Sequence, residues 1–166
     1  MNIDLLPMRD APENAALVLQ WSLKLWRSKS IPGFSEEDWT NFYERAKTAD
    51  FDTWHGDGQE LIYIAKSGDR VVGTIALTDF DDLEGYRSLT PWVAAFIVHP
   101  ELRGQGYGTK ILEALEGQAT SLGIKTLHLW TEDRIGFYAK RGYELISSGK
   151  WSRLTFDVLR KNLVGF

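Results

Sequence analysis

The chain has 166 residues, 43% hydrophobic and 25% charged, the composition of one ordinary globular domain able to bury its own core. Its formal net charge of −4 argues against nucleic acid as a partner, and the lack of any cysteine excludes disulfides, thiolate metal sites and a cysteine nucleophile. That net charge hides two unlike halves: residues 1–91 carry 9 basic and 16 acidic residues (−7), and residues 92–166 carry 10 and 7 (+3). An acidic half suits a cationic partner such as an amine, and a basic half suits a ligand bearing phosphates. The first ten residues lack the basic and apolar regions of a signal peptide. No apolar run approaches the ~20 residues needed to cross a bilayer. The expectation is therefore a cytoplasmic protein with no membrane partner.

In chain order, Asp10-Ala-Pro-Glu13 has the form of a helix start, with Asp10 as cap, Pro12 in the first turn and Glu13 three residues on. Residues 15–26 are apolar nearly all round, which predicts a well-buried helix. A turn is expected over 30–34. Ser35-Glu-Glu-Asp38 then opens a second helix with Trp39, Phe42, Tyr43 and Ala46 on one face. Residues 50–58 read as a loop, and 61–66 and 71–78 as strands joined by a hairpin at Ser67-Gly68-Asp69. A connection over 79–91 holds four acids, Asp79, Asp81, Asp82 and Glu84, and leads to a strand over 92–98. The helix expected over 107–122 keeps Ile111, Leu112, Leu115, Ala119 and Leu122 on one side and stops at Gly123. A strand over 126–131, a short helix over 133–141 ending at Gly142, and strands over 143–146 and 151–159 complete an α+β chain, with helices on a mixed sheet.

The most informative stretch is F-I-V-H-P-E-L-R-G-Q-G-Y-G, residues 96–108, between the strand and the long helix. Glycines at 104, 106 and 108 let the backbone turn its N–H groups toward a ligand with no Cβ in the way. At a helix N-terminus those donors and the helix dipole favour phosphate, and Arg103 adds a positive charge. A Walker loop is excluded because Gly108-Thr109-Lys110 has the wrong order, and a Rossmann fingerprint because its third glycine is misplaced. The spacing R-x-x-G-x-G at 103, 106 and 108 resembles the acetyl-CoA pyrophosphate loop of the GNAT N-acetyltransferase superfamily. Downstream, L-H-L-W-T-E-D-R-I-G-F-Y-A-K-R-G-Y-E-L, residues 127–145, resembles the second half of the GNAT core. Together the likeness covers about residues 92–146, roughly a third of the chain.

This resemblance implies one GNAT domain over 1–166, with an acetyl-CoA-binding core over 92–146 and substrate-side helices and strands before it. Its sheet would be mixed, mostly antiparallel and flanked by helices. It implies direct transfer of acetyl from acetyl-CoA to a primary amine in a ternary complex, without a metal. Backbone groups of Phe96, Ile97 and Val98 would hold the pantetheine and thioester, with an N–H near Ile97 stabilising the oxyanion. The main chain of Gly104, Gln105, Gly106, Tyr107, Gly108 and Thr109 would hold the pyrophosphate, with Arg103 nearby. Tyr138 matches the family tyrosine that protonates the departing thiolate. A phenol pKa of about 10 lies close to that of a thiol, so the proton transfer is nearly balanced.

The departure from the family pattern is at the base. Many GNATs carry a carboxylate on the strand before the cradle, whereas Trp92-Val-Ala-Ala-Phe-Ile-Val98 has no ionisable side chain. Asp79, at the end of the preceding strand, is the preferred substitute, with Glu132 or a water chain as alternatives. His55, His99 and His128 lack metal-ligand spacing and read as structural or surface groups. Lys140 and Arg141 could reach the cofactor's 3′-phosphate, though helix C-termini favour basic residues anyway. Among seven tryptophans, Trp39, Trp54 and Trp92 are the candidates for a cage around a cationic amine. The acceptor is open between a small-molecule amine, such as a polyamine or aminoglycoside, and a peptide N-terminus. A non-catalytic acyl-CoA sensor, a different acyl donor and a homodimer also remain open.

Overall fold

The computed structural model describes residues 1–29, 35–151 and 153–163; the turn expected over 30–34 lies outside the described residues. The strands β1 (Asp4–Pro7), β2 (Glu60–Ser67), β3 (Arg70–Thr78), β4 (Trp92–Val98), β5 (Thr126–Thr131), β6 (Glu144–Trp151) and β7 (Leu154–Asn162) form one sheet in the order β1-β2-β3-β4-β5-β7-β6. Neighbours pair antiparallel except β4 and β5, which are parallel. β2 and β3 are near-continuous apolar runs, L-I-Y-I-A and V-V-G-T-I-A-L, buried over most of their length. Such runs belong in a sheet covered on both faces. The helices α1 (Ala15–Lys29) and α2 (Glu36–Ala46) pack against β4 and β2, and α3 (Tyr107–Ser121) packs against β1, β3 and β4. A short α4 (Ile135–Ala139) leads into β6.

Several expectations change. β1 is an added strand where the sequence suggested no element, because its backbone adds an edge to β2 with Leu5 opposite Ala65. Asp10 caps nothing: 3-10 turns over Met8–Asp10 and Pro12–Asn14 precede α1, and Ala11 stands at the cap position without a side-chain bond. α1 is buried on one face only, through Ala15, Val18, Trp21 and Ser22, while Leu17 is 36% exposed. Its polar Ser22 is satisfied by the Val18 carbonyl at 2.9 Å and by Tyr43 of α2 at 2.6 Å. The last hairpin is longer than its pattern predicts, since residues 147–150 pair along β7. Ser147, Ser148 and Gly149 lack strand propensity, and the register against β7 overrides it.

Other expectations match closely. Ser35 and Asp38 form a reciprocal cap on α2, at 3.1 and 3.0 Å. Ile111, Leu112, Leu115 and Ala119 are the buried face of α3. Gly73 of β3 is closely covered by its neighbours: a Cβ there would stand 2.7 Å from the Ile97 carbonyl oxygen and 2.6 Å from Ile111 Cδ1. The isoleucine tip can move, but the carbonyl is held by the sheet. Gly73→Ala is expected to cost about 1–3 kcal/mol as an overpacked site, read as a lowered melting temperature.

Candidate functional site

The site begins where β4 and β5 part. Their register holds at one pair, Trp92 with His128. The His128 amide donates to the Pro91 carbonyl at 3.0 Å, and its Nδ1 lies 3.1 Å from the same oxygen. Burial lowers the pKa of this imidazole, so it sits neutral against Trp92. Trp92 is in turn fixed by its indole N–H donating to the Leu89 carbonyl at 2.6 Å. Beyond this pin β4 bulges. The β3–β4 register slips between Thr74 and Ala76, and Ala95 takes φ +46°, a left-handed conformation that non-glycine residues adopt at a cost of order 1–3 kcal/mol. After the bulge, Ile97 and Val98 pair with β3, Phe96 stands outside that register, and none of the three pairs with β5.

From Val98 the chain enters a 3-10 turn, Pro100–Leu102, capped by His99 Nδ1 accepting from the Glu101 amide at 3.1 Å. Arg103 is extended and exposed, and Gly104 and Gly106 follow at φ +77° and +89°. A Cβ on either glycine would point into open space, and Gly106 caps α3 with no side-chain bond. The first-turn N–H groups of α3 therefore open outward, a cradle that fits phosphate oxygens. Gly108 has a different task. It sits where β4, α3 and α4 converge, and a Cβ there would lie in ordinary contact, 3.5–3.8 Å, with Val98, Phe137 and Phe96.

Arg141 ties these parts together. Its guanidinium donates to Thr109 Oγ1 through Nε at 3.0 Å and also through Nη2, and to the Phe137 carbonyl through Nη1 at 2.6 Å. It also lies 3.8 Å above the Phe137 ring. Arg141 is thus a brace between α3 and α4 rather than a free cation. Tyr138, next along α4, packs edge-on against Phe137 and Tyr143 with centroids 5.0 and 5.8 Å apart. Burial pushes its phenol up to about 12, with Arg134 and Arg141 opposing. Tyr143 is anchored beneath by donating to Glu116 at 2.8 Å, and Lys161 pairs with the same carboxylate at 2.9 Å.

On the other side of the bulge lies a cavity of about 570 Å³, lined by residues from α2, β2, the end of β3, Ala94 and Ala95 of β4, and β5. Four indoles, Trp26, Trp39, Trp130 and Trp151, form its aromatic wall, and among the described residues five carboxylates face one guanidinium, Arg45. Trp26 stacks on Trp39 at 5.8 Å and tilts against Trp130 at 6.2 Å. Of the tryptophans singled out from the sequence, Trp39 lines the cavity, Trp92 is fully buried beneath the sheet pairing and Trp54 packs against the main core. Trp26, Trp130 and Trp151 went unforeseen because they lie far apart in the chain. Asp79 does line the cavity, but its two oxygens accept from the Gly58 amide at 2.9 Å and from Thr90 Oγ1 at 2.7 Å. It closes the 50–58 loop onto the 79–91 connection. Among the described residues no group of three or more His, Asp or Glu is placed to hold a metal ion, and no helix is long and apolar enough to cross a membrane.

Comparison with known proteins agrees with this geometry. The chain is 43% identical over 53 residues to mouse (Mus musculus) N-alpha-acetyltransferase 80, a match covering 32% of this chain and 17% of that protein's length. Its fold is similar to that of aminoglycoside 6′-acetyltransferase type Ii, with a TM-score of 0.71 at 16% identity over 100% and 99% of the two chains. It also resembles a GNAT family acetyltransferase from Elizabethkingia anophelis with acetyl-CoA bound, with a TM-score of 0.53 at 19% identity over 63% and 76%. Residues 29–143 match the acetyltransferase (GNAT) family, and with a mixed, mostly antiparallel sheet that parts beside a glycine cradle, the chain belongs to that family.

Proposed function

We propose that the chain is an N-acetyltransferase that moves the acetyl group of acetyl-CoA directly onto a cationic primary amine. One observation carries this reading: two spaces meet on one strand. The acid–aromatic cavity ends on Ala94 and Ala95, and the same strand continues through Phe96, Ile97 and Val98 to the glycine cradle. An amine in the cavity and a thioester along those three residues are then neighbours across the bulge.

Acetyl-CoA supplies an activated acyl carbon when bound; the rest is the work of this chain. The main chain of Gly104, Gln105, Gly106, Tyr107, Gly108 and Thr109 offers N–H donors to a pyrophosphate, and exposed Arg103 adds positive charge. Arg141 holds the first turn of α3 in register with α4 through Thr109. Backbone groups of Phe96, Ile97 and Val98, unpaired with β5, receive the pantetheine, and an N–H near Ile97 polarises the carbonyl. Tyr138 keeps its proton at neutral pH because burial holds its phenol near 12, so it is available to protonate the leaving sulfur. The indoles and surplus carboxylates of the cavity favour an ammonium over a neutral or anionic acceptor.

The names of similar proteins point to two acceptor classes, an aminoglycoside and an alpha-amine, and the cavity's charge favours the polycationic one. Thiol release from acetyl-CoA, followed with a thiol reagent against spermidine, kanamycin, tryptamine and a set of peptide N-termini, tests the reading. The chain has no cysteine, so the protein adds no background. Release that depends on a cationic amine is the expected result; silence with every acceptor would overturn the assignment.

A further inference from the structure

Five carboxylates line the cavity, and their surroundings separate them. Asp38 is committed to the α2 cap, Glu60 pairs with Arg45 at 2.8 Å, and Asp79 closes a loop through Gly58 and Thr90. Asp82 is exposed at the rim. Asp81 remains. It is half-buried, lines the cavity beside Trp130, and among the described residues no basic side chain forms an ion pair with it. Thr78 lines the same space too, but its hydroxyl is buried within the wall and offers no open face to an occupant.

Resting on the acetyl-transfer reading above, we propose that Asp81 is the base that the apolar strand β4 lacks, and that it binds the acceptor's ammonium in this cavity beside the bulge. The Asp81 carboxylate takes one proton from R–NH3⁺, which frees the nitrogen lone pair. The nitrogen bonds to the acyl carbon and the carbon–sulfur bond breaks, with its electron pair leaving on sulfur. A second proton passes from that nitrogen, by way of Tyr138, to the sulfur and gives the thiol. The third stays on the amide. Asp81 returns its proton to solvent as product leaves.

The electrostatics support the role. Burial first, and then the charge of Asp82, raise the Asp81 carboxyl well above the usual carboxylate range, while the Trp130 indole N–H opposes this. A carboxylate raised toward neutrality is a stronger base for an ammonium than an ordinary one. Around the cavity, Asp38 and Arg45 face it from α2, Glu60 from β2 and Asp79 from the end of β3. The Arg45 guanidinium is already neutralised by Glu60.

The test compares Asp81→Asn, Asp81→Glu and the unmodified chain with spermidine, kanamycin and tryptamine from about pH 5 to 9. Asp81→Asn is expected to lose about 100-fold or more in kcat/KM for the amine, to lose the acid limb of the pH profile, and to keep the rise in melting temperature given by acetyl-CoA. Asp81→Glu should restore part of the rate. The unmodified chain's own profile is an independent check, since an acid limb is expected and a flat profile would count against Asp81. An unmodified chain that acetylates an amine, beside an Asn variant equal to it in rate and profile, would overturn this assignment alone. An unmodified chain silent with all three amines would overturn the acetyl-transfer reading and Asp81's role with it.

Discussion

Tyr138→Phe is expected to lower kcat by about 100-fold or more, the usual contribution of a positioned general acid, while acetyl-CoA still raises the melting temperature. The variant keeps the ring and its contacts with Phe137 and Tyr143. It also leaves intact the backbone bonds that set α4, from the Tyr138 amide to Arg134 and from the Arg141 and Tyr143 amides to the Tyr138 carbonyl. Only the proton is removed. Burial holds that proton on the phenol at neutral pH, with the group raised to about 12, so the unmodified enzyme always enters turnover with it in place. A loss in kcat with little change in acetyl-CoA affinity separates proton donation from binding. An unchanged kcat would remove Tyr138 from the chemistry.

Gly106→Val is expected to abolish most of the acetyl-CoA response. Gly106 caps α3 at φ +89° and ψ 0°, a region costly for any residue with a Cβ and most of all for a branched one. The new side chain would project into the open space before the first turn of α3, where the phosphate donors point. Two penalties follow. Backbone strain of about 1–2 kcal/mol lowers the melting temperature by a few degrees. Loss of one charge-assisted hydrogen bond, worth about 1.5–3 kcal/mol, weakens acetyl-CoA binding by roughly 10- to 100-fold. Isothermal titration with acetyl-CoA measures the second, and a thermal melt without ligand measures the first. Binding that survives unchanged would show that the pyrophosphate lies elsewhere.

The glycine turn before α3 was legible from the residues because everything it needs is local. Glycines at 104 and 106, an arginine at 103 and the start of an amphipathic helix lie within a few residues, and backbone recognition of phosphate requires no distant partner. The hairpin of β2 and β3, the cap of α2 and the buried face of α3 are local in the same sense. The short edge strand β1 was not legible, because four residues carry too little pattern to announce a strand. Nor was the full length of β6, where Ser147-Ser148-Gly149 pairs only because β7 holds the register.

The acceptor cavity shows the opposite limit. Trp26, Trp39, Thr78, Asp81, Ala95, Trp130 and Trp151 meet in it from across the chain, and no spacing links them. The acidic connection shows it most sharply. Asp79 and Asp81 stand two residues apart in one acidic connection, and a loop has no period to say which faces inward. Tertiary contacts decide: Gly58 and Thr90 occupy Asp79, while the indole of Trp130 and the charge of Asp82 surround Asp81. Chain-local conformation made the glycine turn before α3 readable from the sequence by itself. Burial, which exists only once distant segments pack, decided which residues line the cavity.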